Sequence, residues 1–449
     1  MKGATGAAEN YLSRYDEFEA KLGRNGSSWV LPLRKKALTR FGELRFPTPK
    51  EEEWRHTNVA PIERRRFLPA GSVADSPPPD RAEWERFTLR ADSAAELVFW
   101  NGLWMPGLST VPGPVKGIRW GSLADALVEE RARIEPHLGH HASFQEHPFV
   151  ALNTAFFRDG SFLHIGEGVK LDKPVHLLFL SGGSGAEASS HPRNLILAER
   201  ESEATIIETY VSVGETPHLS NAVTEIVVRE NASIDHYKVQ DESKETYHVA
   251  ALQAHQEQNS RLASYTFTFG GKIARSDIGS VLAGEGIETV LDGLYMGRED
   301  QLIDHHTFLD HARPHCTSHE LYKGILGGRS RGVFRGKILV RQDAQKTDAK
   351  QGNHALLLSE EAVVNTKPQL EIYADDVKCT HGATIGQIDE ESLFYLRSRG
   401  ISRGAARALL VSAFAGEVVD RIRPDALRGR VEGILAARLP EGKRIKESL

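Results

Sequence analysis

Four apolar runs open at Ile206, Ile234, Leu262 and Val290, each just after a small polar cluster and each followed within five residues by a tyrosine: Tyr210, Tyr237, Tyr265 and Tyr295. Consecutive openings lie 28 residues apart. A fixed period of this size marks a stacked architecture, in which each unit buries its apolar face only against its neighbours. Second runs, such as Ala222-Val223-Thr224-Glu225-Ile226-Val227 and Val249-Ala250-Ala251-Leu252, fall between the markers, so each period holds two strands. From about residue 160 to 376, β-branched runs such as Leu195-Ile196-Leu197 and Tyr265-Thr266-Phe267-Thr268-Phe269 alternate with turn residues, and no helical pattern intervenes. Two strands and two turns per period give a mainly β fold, a right-handed parallel β-helix; a β-sandwich with irregular meanders is the competing architecture.

The flanks read differently. Residues 1–150 are mixed and mostly helical, with a start signal at Thr48-Pro49-Lys50-Glu51, where Thr48 can cap, Pro49 suits the first helical position and Glu51 completes a capping box. A Pro- and Gly-rich stretch near 68–80 reads as a linker. The β region then occupies 151–388. From Asp389 to Leu449 the pattern is helical again: Asp389 and Ser402 are N-cap candidates, Gly400 a stop, and Ala406, Leu410, Ala413, Phe414 and Val418 recur at helical spacing. On spacing alone this stripe is core before it is a binding surface.

Charge and cysteine content exclude several roles. Lys and Arg number 56 against 61 Asp and Glu, a net charge of −5, so no overall basic field draws the chain to nucleic acid or anionic lipid. The triplet Arg64-Arg65-Arg66 reads as a solvated helix or loop end. No apolar stretch approaches the about 20 residues a membrane helix needs, and the opening residues do not read as a secretory signal. With Cys316 and Cys379 alone no disulfide framework is available, so a soluble protein of the reducing cytoplasm is expected.

Two constellations could carry chemistry. His305-His306, His311, His315-Cys316 and His319, interleaved with Asp304 and Asp310, contain donors for zinc or iron, but strand geometry sends successive side chains to opposite faces and works against convergence. Gly270-Gly271-Lys272 lacks the upstream glycine and the Ser or Thr of a phosphate-binding loop, and reads as a turn. A β-helix carbohydrate-active enzyme stays open, because such folds reveal their carboxylate pairs only in three dimensions, as does a homo-oligomeric interaction protein. The second constellation is Cys379-Thr380-His381, which sets a soft thiol and an imidazole two residues apart, on one face if the segment is extended. Both groups suit iron; a buried Cys beside a hydrogen-bonded His fits the same residues.

The run from Lys367 to Gly386, continued by Ser392-Leu393-Phe394-Tyr395-Leu396-Arg397-Ser398-Arg399-Gly400-Ile401, resembles the C-terminal signature of SufB/SufD-type iron-sulfur assembly proteins. Lys346-Thr347-Asp348 and Leu152-Asn153-Thr154-Ala155-Phe156 extend the resemblance over roughly residues 150–425, with a looser match around Glu53-Trp54. It implies a parallel β-helix core between helical regions, and a complex with an ABC-type ATPase (SufC-like) and a second, related scaffold (SufB-like), although a homodimer stays open. SufB-like members carry more cysteines, so this two-cysteine chain sides with the SufD type, a non-catalytic scaffold that holds no stable cluster alone. The resemblance carries over Cys379 and His381 as residues of the scaffold interface, with His381 the better candidate for a transient iron-sulfur cluster. It also implies that the helical tail, including Ala406, Leu410, Ala413, Phe414 and Val418, docks the ATPase.

Overall fold

The structure, a computed structural model, describes residues 6–22, 27–65, 67–69, 78–183 and 187–439. Among the described residues there are two sheets, one of 11 strands and one of 10, and from Glu203 onward successive strands alternate between them and pair in parallel with the strand one coil earlier. This is the parallel β-helix read from the sequence, with two strands per coil.

The coil length is less strict than the 28-residue spacing suggests. Ser233 pairs with Glu203, 30 residues earlier; Arg261 pairs with Ser233, 28 earlier; Glu288 pairs with Arg261, 27 earlier. Ile234 therefore sits beside Leu262 as expected, but Ile206 pairs with His236 and Leu262 with Thr289. Tyr237 and Tyr265 do stack, with ring centroids 4.9 Å apart. Corners that vary by a residue or two absorb the difference. The tight corner recurs with a left-handed residue at Glu201, Asn231, Asn259 and Gly286. Asn231 and Asn259 fit because a short polar side chain tolerates that conformation.

Both outer faces of the solenoid are covered, which explains why a strand such as His218–Val228 is buried along its whole length. On the 11-stranded sheet, Leu219, Val223, Tyr247 and Val249 pack against N-terminal residues including Tyr11, Phe41, Trp54 and Phe149. On the 10-stranded sheet, Tyr237, Val239, Tyr265 and Phe267 pack against Val411, Val418, Leu427 and Val431 of the C-terminal helices. The N-terminal region also joins the sheets, through Ala95–Trp100, parallel to Val175–Gly182, and Ile118–Ser122, antiparallel to Ser161–Ile165.

The start signal near residue 48 forms only in part. Thr48 N–H donates to Glu51 Oε1 at 2.8 Å, but the chain then makes a single 3-10 turn, Glu52–Trp54, not an α-helix. Trp54 is buried against Phe149 and turns the chain back toward the sheet. Of the linker, residues 70–77 lie outside the described residues, whereas Leu68–Pro69 pairs as a short strand with Ala188–Ser189. Arg64 ends the helix Ala60–Arg64, Arg65 is held by Glu187, and Arg66 is outside the described residues. Gly270 and Gly271 form a tight corner: a Cβ on Gly270 would come within 2.1 Å of the Glu242 carbonyl oxygen. At the C-terminus, Asp389 accepts from Ser392 N–H and Ser402 from Ala405 N–H, capping the helices Glu390–Ser398 and Arg403–Val419, and Gly400 has φ +85 between them. A third helix, Asp425–Arg438, follows Pro424, and residues 440–449 are outside the described set.

Candidate functional site at the open end of the solenoid

The two ends of the solenoid differ. At the N-terminal end, helix Pro148–Phe156 is wholly buried between the N-terminal helices and the first coils. Among the described residues, the outermost strands at the C-terminal end are Val363–Ile372 and Lys378–Gln387, each ending its sheet with one unpaired edge. Two such edges side by side leave rows of free N–H and C=O groups, a template for pairing with another chain.

Cys379 and His381 both lie on the last strand. Its register places Cys379 beside Ala349 and His381 beside Gln351, and both of those neighbours are buried, so Cys379 and His381 head two inward-facing columns. Alternation along the strand sets them on one face, as the sequence spacing requires. Cys379 is half-buried, packed on the solenoid core, while His381 is exposed. Burial pushes the Cys379 thiol up, and Asp348 adds to the rise, which disfavours the thiolate needed to bind iron. The imidazole needs no such ionisation.

Large apolar side chains gather around this end. Tyr373 is 64% exposed, Ile385 50%, Phe394 72% and Tyr395 57%. In the sequence they belong to the signature run, but their exposure is not legible there, because apolar residues in a strand or helix are expected inside.

The histidine-rich stretch disperses. His305 points into the core and hydrogen-bonds Thr268 Oγ1 at 3.0 Å, His306 points outward to Asp304 and Glu53, and His311 bonds Ser318. His319 faces Asp292, and the buried Cys316 thiol donates to the Gly284 carbonyl. Among the described residues no three His, Cys, Asp or Glu side chains are grouped to hold a metal ion. Asp304 instead anchors the N-terminal segment: its Oδ2 accepts from Thr57 Oγ1 at 2.5 Å and from Arg275 Nη1 at 2.9 Å, and the Arg275 guanidinium stacks 3.7 Å over the Trp54 ring.

In the helical tail, Ala406 and Val418 are buried, Leu410 and Phe414 are partly covered and Ala413 is exposed. Lys323 Nζ donates to the Phe414 carbonyl at 3.0 Å and lies over its ring. Arg421 and Arg423 reach Asp292 and Asp235 on the sheet at 2.6 and 2.8 Å. The buried part of the stripe is the seat of the tail on the solenoid.

The fold is a parallel β-solenoid whose last rung carries two open strand edges. Residues 179–414 match the family described as SUF system FeS cluster assembly, SufBD core domain, and residues 5–177 match the SufBD protein N-terminal region. The chain belongs to this SufBD family of iron-sulfur cluster assembly proteins, on its SufD-type side. It is 34% identical to an iron-sulfur cluster assembly SufBD family protein of Synechocystis, over 94% of this chain and 93% of that one. It is 32% identical to the iron-sulfur cluster assembly protein SufD of Escherichia coli, over 89% and 90%. The chloroplastic protein ABCI7 of Arabidopsis thaliana is 32% identical, over 87% and 83%. No helix among the described residues is long and apolar enough to cross a membrane.

Proposed function

We propose that this chain is a non-catalytic scaffold for iron-sulfur cluster assembly, which pairs through its open end with a cysteine-rich SufB-like scaffold and carries a SufC-like ABC ATPase on its helical tail. The observation that supports this best is the terminal strand, whose unpaired edge presents His381 and Cys379 where a second chain would add a strand. His381 supplies a neutral imidazole to a nascent, transient cluster completed by the partner's ligands, and Cys379 is the second candidate. One ligand from each subunit makes the cluster sensitive to movement at the interface, which an ATPase can drive. The chain has no phosphate-binding loop of its own, so the hydrolysis belongs to the partner. Family membership gives no support to the carbohydrate-enzyme alternative. Two free cysteines and relatives that include a chloroplastic protein fit a reducing setting, the cytoplasm or its plastid counterpart.

The test is co-expression with a cysteine-rich homologue and an ABC ATPase, followed by size exclusion and anaerobic absorbance. His381→Ala is expected to leave the complex intact and lose the cluster, and Cys379→Ala to lose less. Normal cluster yield in His381→Ala makes the residue structural and overturns the ligand assignment.

A further inference from the structure

A cleft of about 340 Å³ opens in the N-terminal region. One wall is the 3-10 turn Ser28–Val30 with the helix Leu31–Leu44 that follows it, and the other is the helix Leu123–Glu129. Its volume is that of a small-ligand site. The two walls are tied together, because Trp29 Nε1 donates to the Leu127 carbonyl at 2.9 Å. Leu31 and Leu127 give the cleft an apolar side, and Arg34, Arg158, Asp125 and Glu129 supply its charges. None of these residues belongs to the open end of the solenoid.

Arg34 is a buried cation, only 4% exposed. Its guanidinium lies 4.1 Å over the Phe157 ring, and Nη1 donates to the Phe157 carbonyl, which uses one of its five N–H bonds. Among the described residues no carboxylate lies within ion-pair distance of it. The acids that act on it are the Tyr15 phenol, which burial pushes up to about 12 and so keeps neutral, and Glu19, which pairs with Lys35 at 3.2 Å. Burial pulls the Arg34 guanidinium down to about 10, and repulsion from Arg158 adds to the fall while Tyr15 and Glu19 oppose it, so it stays charged at neutral pH. A buried charge without a counter-ion is costly, and folded proteins pair such charges. Here the counter-ion has to come from outside the chain.

We propose that this cleft binds a free α-amino acid with a compact apolar side chain, its carboxylate on Arg34, its ammonium group toward Asp125 and its side chain against Leu31 and Leu127. A guanidinium matches a carboxylate in shape as well as charge, offering two parallel N–H bonds. Asp125 is exposed and has no ion-pair partner among the described residues, whereas Glu129 is held by Arg119. A buried cation inside and an uncommitted carboxylate outside suit a zwitterion. They work against a phosphate dianion, which Asp125 and Glu129 repel. The site is separate from the terminal rung and stands whether or not His381 binds iron.

The experiment titrates the full chain with L-leucine, with 4-methylpentanoate, which is the same molecule without the ammonium group, and with inorganic phosphate, by calorimetry and thermal shift. L-leucine is expected to bind saturably, one to one, and to raise Tm; 4-methylpentanoate is expected to bind more weakly, and phosphate not at all. Arg34→Met, which fills similar space without the charge, is expected to weaken L-leucine binding more than about tenfold, the loss of a charge-assisted hydrogen bond. The Tm of the free variant is expected not to fall, because the charge removed is unpaired. Asp125→Asn, on the surface, is expected to bind L-leucine no better than 4-methylpentanoate, and it carries the test should Arg34→Met fail to fold. No binding of L-leucine, tighter binding of phosphate, undiminished affinity in Arg34→Met, or an unchanged preference for L-leucine in Asp125→Asn overturns the assignment.

Discussion

Arg193 and Glu225 form an ion pair sealed from solvent, with Arg193 Nη2 2.5 Å from Glu225 Oε2 and neither side chain exposed. Glu225 also accepts the backbone N–H groups of Gly139, His141 and Ala142 at 2.9 Å, so one carboxylate ties a N-terminal loop to the first coils.

Removing that carboxylate leaves a buried guanidinium and three N–H donors unpaired, so Glu225→Ala is expected to cost about 3–5 kcal/mol, measured by urea unfolding. Burial raises the Glu225 pKa, but Arg193 and the backbone donors overcome this and hold it below the ordinary 4.5. Its stabilising contribution is therefore complete above pH 4.5 and declines as pH falls through the lower folded value. Glu225→Gln should flatten the acid limb of the stability curve; an unchanged limb assigns that limb to other carboxylates.

His306 makes the N-terminal attachment weaken in the opposite direction. Burial opposes its charging, but Asp304 at 3.1 Å and Glu53 at 3.4 Å raise its pKa above 6.5. A raised folded value gives stability that is complete below pH 6.5 and is lost as pH rises through it. Hydrogen exchange of residues 51–57, corrected for intrinsic rate, should therefore show falling protection between pH 6 and 8, and His306→Gln should abolish the trend.

The outer edge of the last strand can be blocked without touching its inner ladder. Lys378 N–H donates to Thr347 O at 2.8 Å, so the alternate residues Thr380, Gly382 and Thr384 continue the ladder while Ala383 N–H faces outward. Proline is tolerated at such edge positions. Ala383→Pro is expected to keep the far-UV circular dichroism and lower partner-scaffold affinity more than about tenfold, a loss of about 1.4 kcal/mol. Undiminished binding by titration calorimetry places the interface elsewhere.

The helical tail separates into a seat and a free face. Leu427, fully buried against the sheet, should cost about 2–5 kcal/mol when changed to Ala. Exposed Ala413 should tolerate Arg with no change in Tm, and Ala413→Arg should weaken ATPase capture in a pull-down. Deleting the tail from Asp389 is a poorer test, because it strips the cover from Tyr237, Val239, Tyr265 and Phe267. Full ATPase binding by Ala413→Arg removes that face from the docking surface.

Much of this architecture is written in local pattern. Runs at near-constant spacing, with Asn231 and Asn259 at left-handed corners, specify stacked coils, because each strand pair can satisfy its backbone only on the next. The caps Asp389 and Ser402 and the stop at Gly400 end their helices through bonds within three residues. The pairing of Cys379 and His381 on one face follows from strand alternation alone. Only the tertiary structure decided which rungs align, since corners of unequal length shift Ile206 to His236 and Leu262 to Thr289. It also turned Thr48-Pro49-Lys50-Glu51 into a single turn, because Trp54 is more stable buried on Phe149 than on an exposed helix. It buried Ala406 and Val418 while exposing Phe394 and Tyr395, and it placed the buried Gln351 one rung inside His381. Periodicity records what each residue prefers next to its near neighbours; exposure at an open end, and a polar column running across coils some 30 residues apart, depend on contacts that no local pattern encodes.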